Sequence, residues 1–185
     1  MNIATSHMTH GAAQVPPALP VLDTSLSLAF AAMLPVLSRF IIAERDMADI
    51  SASYDPAYAA WHREAEHAGT ALDQRLMQLH RLPIERLEDA PLRRMTLLID
   101  AMLNDDDPSQ ARRTHRQMLL VFFLRYQVSG FSYVAQHCNG MLIQARHLVD
   151  ALVQLPLFDF SAECVIPVDD EADADTSGDI QVFAF

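Results

Sequence analysis

The chain contains no lysine: all thirteen of its basic residues are arginine. Together with the heavy use of alanine, this matches GC-rich codon usage and leads us to expect a bacterial source. Cysteine is nearly absent too. Cys138 and Cys164 allow one bridge at most, which excludes a disulfide framework, and neither sits in a CxxC or other metal-like spacing. Five glycines are too few for a fibrous chain, and none builds a phosphate-cradling loop or the GxSxG turn of a serine hydrolase. No repeat recurs at a solenoid period. Residues 1–22 lack the basic start and compact apolar stretch of a signal peptide. The most apolar segment, residues 26–43, is broken by Ser27, Pro35, Ser38 and Arg39, and we read it as short of the roughly 20 apolar residues that span a bilayer. These absences point to a reducing cytoplasm and no membrane. No motif ties the chain to a known family.

What is present is ample apolar material. Apolar residues make up 51% of the 185 and charged ones 20%, enough for one buried core and too apolar for a disordered chain. The net charge of −11 is unevenly placed. Residues 1–146 hold 15 acids against 13 Arg, whereas residues 147–185 hold nine acids and no Arg or Lys. The acidity therefore belongs to the tail, and the nearly neutral body argues against nucleic-acid binding.

Hydrophobic spacing predicts an all-α bundle of four to five mostly antiparallel helices over residues 23–160. It lies between a flexible arm (1–22) and an acidic tail with an apolar terminus (161–185). Asp23, Thr24 and Ser25 offer an N-cap for a first helix to about residue 50. Residues 26–37 are apolar nearly all round, so this helix is central to the bundle or covered by a partner. Asp55 and Pro56 open a second helix, striped by Tyr58, Trp61, Ala65, Ala68, Leu72, Leu76 and Leu79. A short helical turn at 84–87 leads to a third helix near 91–103, with Leu92, Met95, Leu98, Ile99, Met102 and Leu103 inward and Arg93 and Arg94 outside. Asp107 and Pro108 start a fourth, whose apolar block 118–124 is expected to be core. Ser129 and Gly130 mark a break. A last stripe then runs through Phe131, Val134, Cys138, Met141, Leu142, Ala145, Leu148, Leu152 and Leu155.

Four local patterns carry possible chemistry or binding. Glu64 and His67 stand three apart, and His62 and Glu66 four apart, both spacings that chelate metal from one helix. A metal-binding bundle would recruit His115 or His147 besides. However, the stripe centred on Ala65 and Ala68 turns these groups to its flanks, so the solvated reading outweighs the metal one and no cofactor is expected. Arg112, Arg113, His115 and Arg116 could open a DNA-recognition helix, but Asp105, Asp106 and Asp107 lie just upstream. Adjacent His137 and Cys138 diverge on a helix and cannot act as base and nucleophile. The tail offers a linear motif: an acidic spacer followed by residues 180–185, with Ile180, Val182, Phe183 and Phe185 as anchors. The expectation is a non-catalytic interaction or regulatory protein, acting on a protein partner or a second copy. Metal binding is the alternative, and DNA binding stands behind both.

Overall fold

The computed structural model describes residues 23–48, 58–105 and 107–158. Five helices form the bundle: α1 (Ser25–Ala48), α2 (Tyr58–Arg81), α3 (Asp89–Leu103), α4 (Pro108–Arg125) and α5 (Tyr133–Leu152), followed by a 3-10 turn at Pro156–Phe158. No strand occurs among the described residues. The arm, the tail, Asp55 and Pro56 lie outside them.

Helix α1 is the hub and packs against α2, α3 and α5. Leu26, Phe30, Met33, Leu34, Leu37, Phe40 and Ile41 are buried there, at the three- and four-residue intervals that keep one helix face inward. By length and composition alone, α1 is apolar enough to cross a bilayer, more so than its interrupted sequence suggests. In the bundle its inner face is core, while Leu28, Ala32, Pro35 and Ile42 form a solvent-facing strip. The proline sits on that strip, so its ring and the backbone acceptor it leaves without a donor fall on the solvent side.

Buried polar groups fix how α1 enters. Thr24 precedes the helix, its hydroxyl accepting from Ser27 N at 3.0 Å while its own N–H donates to Ser27 Oγ at 2.8 Å. That reciprocal pair satisfies two groups that a helix N-terminus otherwise leaves open. The same hydroxyl donates to buried Asp89 Oδ1 at 2.7 Å. Asp89 Oδ2 accepts from the backbone of Glu85 and Arg86 at 2.9 and 3.0 Å. One carboxylate thus orders the α2–α3 connection and fastens it to the start of α1. Consequently, the turn expected at 84–87 is a loop held by Asp89 and not a helical segment.

The predicted stripes of α2, α3 and α5 are inward for the most part. Ala65, Ala68, Leu72, Leu76 and Leu79 are buried, as are Leu92, Met95, Leu98, Ile99 and Met102. Cys138, Met141, Leu142, Ala145, Leu152 and Leu155 complete the core. Two large members of these stripes are corrections. Trp61 is 41% exposed, and Phe131 is 95% exposed because it lies ahead of α5 in the connection. Arg93 is a third, since it is half-buried and donates to the carbonyls of Leu79 and Leu82 at the end of α2. A cation on the final carbonyls of a helix satisfies acceptors and complements its dipole.

Helix α4 starts as expected. Asp107 accepts from Ser109 N at 2.8 Å, and the Ser109 hydroxyl and amide hold its carboxyl below the usual range. The block 118–124, however, is not core throughout. Only Met118 and Phe122 are buried, whereas Leu120, Phe123 and Leu124 face solvent. Helix α4 rests on α3 and on the turn at Pro156–Phe158. Arg94 Nη1, near the start of α3, donates to Arg125 O at the end of α4 at 2.9 Å, so the two run antiparallel.

Candidate interaction surface

The outward side of α4 presents three large apolar side chains to solvent. Leu120, Phe123 and Leu124 are 86%, 72% and 82% exposed. Their spacing of three and four places them together on one face. A lone exposed leucine is ordinary, but three large side chains grouped on one helix turn form a patch. Burying them would release about 1.5–3 kcal/mol apiece if fully covered.

The helix holds this patch firmly because its other side is anchored. Phe122 is buried and stacks on Tyr126 with ring centroids 6.2 Å apart. The Arg146 guanidinium, from α5, lies 5.0 Å above the Phe122 ring and 6.0 Å from that of Phe123. His115 Nε2 meets Asp150 Oδ1 at 2.7 Å, tying the first half of α4 to the end of α5. After α4, Asn139 closes the connection by donating to Val128 O at 3.0 Å and accepting from Val128 N at 2.8 Å.

Beside the patch, an open groove of about 600 Å³ runs between α3 and α4, lined by Arg94, Leu97, Leu98, Leu124, Arg125 and Tyr126. Burial pushes the Tyr126 phenol above its ordinary pKa, against the lowering effect of the two arginines. Nearer the N-terminal end of α4, Arg112, His115 and Arg116 border a smaller cavity of about 230 Å³ with Val153 and Gln154. Across its 18 residues α4 carries four Arg and no carboxylate. Its exposed face therefore has two halves: Arg113 and Arg116 lead, and Leu120, Phe123 and Leu124 follow at helical spacing. The basic cluster is legible in the sequence, but the apolar half is not, because seven apolar residues in a row carry the pattern of a core segment.

The sequence-derived metal candidates do not all face one point. Glu64 accepts Arg39 Nε at 2.9 Å, an α1–α2 ion pair. His62 Nδ1 and Glu66 Oε1 are 3.6 Å apart and exposed, and His67 is exposed. Sequence reasoning did not foresee Glu44, which lines a cavity of about 310 Å³ with His62 and Glu66. Burial raises the Glu44 pKa, with His62 opposing. Even so, no three His, Cys, Asp or Glu side chains converge in ligand geometry among the described residues. His115 is engaged with Asp150, and His147 is exposed on α5.

Cys138 is buried and unbridged, with His137 turned instead toward Asp23 at 3.6 Å. Burial, followed by the carboxylates of Asp89, Glu88 and Asp23, pushes the thiol up to about 11. That suppresses the thiolate a nucleophile needs. Ile180, Val182, Phe183 and Phe185 lie outside the described residues. No family model, no curated protein and no solved structure matches the chain.

Proposed function

We propose that this is a non-catalytic helical interaction protein whose binding face is the outward side of α4, and that the face takes an apolar peptide segment flanked by acidic residues. The observation that carries the reading is the exposure of Leu120, Phe123 and Leu124 on a helix whose remaining charges are all basic. Apolar anchors supply most of the energy of such contacts, while charges set orientation and approach rate. The arginines select against basic partners, and the groove lined by Leu97 and Tyr126 offers depth for an aromatic side chain.

The test is a titration with labelled peptides of three kinds: acidic–aromatic, basic–aromatic and acidic without aromatics, with a DNA duplex as a fourth probe. Acidic–aromatic peptides should bind and shift amide resonances of α4, and Leu120→Asp with Leu124→Asp should weaken them at least tenfold. Equal affinity for all peptides, or no loss in the double variant, would remove the reading. Binding of the duplex alone would replace it with a nucleic-acid function.

A further inference from the structure

The remaining question is what occupies the α4 face in the isolated protein, and here the chain itself supplies a match. Residues 159–185 hold eight acids and no Arg or Lys. Six of those acids fall between 169 and 179, and the apolar residues Ile180, Val182, Phe183 and Phe185 come afterwards. That order, acidic first and aromatic second, repeats along α4 as Arg113 and Arg116 followed by Leu120, Phe123 and Leu124. The chain also leaves the bundle at the correct place. Val153 and Gln154 border the same cavity as Arg112, His115 and Arg116, and the turn at Pro156–Phe158 packs on α4.

The distances agree. An 18-residue helix is about 27 Å long. A chain of about 20 residues, the number from 159 to 179, would have a root-mean-square reach of roughly 25 Å with random-coil statistics, and repulsion between like charges would lengthen it. Residues 180–185 can therefore reach the far half of α4 without straining the linker.

We propose that residues 169–185 lie along the outward face of α4 of the same chain, the acidic stretch over Arg113 and Arg116 and residues 180–185 over Leu120, Phe123 and Leu124. The tail then competes with any external partner for the surface. The inference rests on the α4 reading above and names its resident ligand. A tethered segment acts at an effective concentration of about 1 mM, so a tail with an intrinsic Kd of about 100 μM would lower a partner's apparent affinity about tenfold.

The experiment uses the full chain and a Phe183→Ser, Phe185→Ser double variant, compared by amide NMR. Resonances of 113–126 should move in the variant, and an external acidic–aromatic peptide should bind it about tenfold more tightly than the unsubstituted chain. Leu120→Asp with Leu124→Asp should produce the reciprocal change at 180–185, with the helical content unaltered. Unchanged α4 resonances in the Phe variant overturn the proposal, as do changes confined to the Leu28, Pro35 and Ile42 strip of α1. Shifts that grow with protein concentration, with a dimer mass by light scattering, would also overturn it in favour of exchange between two copies. If the tail variant changes nothing while external peptides still bind α4, only the tail proposal falls; if no peptide binds either, the α4 reading falls with it.

Discussion

Thr24 and Asp89, 65 residues apart in sequence, share a buried 2.7 Å hydrogen bond that joins the cap of α1 to the loop before α3. The carboxylate is almost fully enclosed and accepts from two backbone amides besides. Asp89→Ala strands those donors, and the cost should be about 3 kcal/mol. Thr24→Val removes one donor and one cap acceptor and should cost about 1–2 kcal/mol. Urea unfolding of the two single variants and the double checks both. If the pair is coupled, the double variant should lose less than the sum of the singles.

Phe122 and Phe123 are neighbours in sequence with opposite burial. Phe122→Ala should cost about 3–5 kcal/mol by removing a buried ring from beneath Arg146. Phe123→Ala, on the exposed side, should change stability by no more than about 0.5 kcal/mol. Thermal melts of the two variants decide the matter, and equal losses would show that α4 is rotated relative to the arrangement described.

Cys138 predicts a pH dependence. Its folded-state pKa of about 11 lies above the ordinary 9.0, so the folded protein keeps a proton that the unfolded chain gives up. Between those values the unfolded state binds fewer protons, and stability must fall as pH rises. The contribution is intact below pH 9 and is lost progressively toward about 11, about 3 kcal/mol in all. In a Cys164→Ser background, Cys138 should resist thiol reagents at pH 8 until denaturant is added. Rapid labelling of the folded protein would contradict the assigned burial.

Gly130, between α4 and α5, has a φ of +109°, which side-chain-bearing residues rarely adopt. A Cβ added there would meet nothing within 4 Å, so Gly130→Ala isolates the backbone strain. The expected loss is about 1–2 kcal/mol. Asn139→Ala removes the two side-chain bonds to Val128 in the same connection and should cost about the same, with faster amide exchange at Val128.

The sequence determined the helices because their signals are local. Spacing in α2, α3 and α5, the Asp107 and Pro108 start, and the Gly130 break all act through the backbone within a turn or two. It also separated a nearly neutral body from an acidic tail, a matter of counting. The tertiary structure decided what no local rule reaches. Residues 118–124 contain no polar position to mark an outer face, so only the packing of α4 against the rest of the bundle selects Met118 and Phe122 for burial over Leu120, Phe123 and Leu124. The roles of Asp89 and Arg93 depend on partners brought close by folding: Thr24 in one case, the last carbonyls of α2 in the other. Phe131 completes a helical period yet is exposed, because periodicity continues on paper past the point where the backbone leaves the helix.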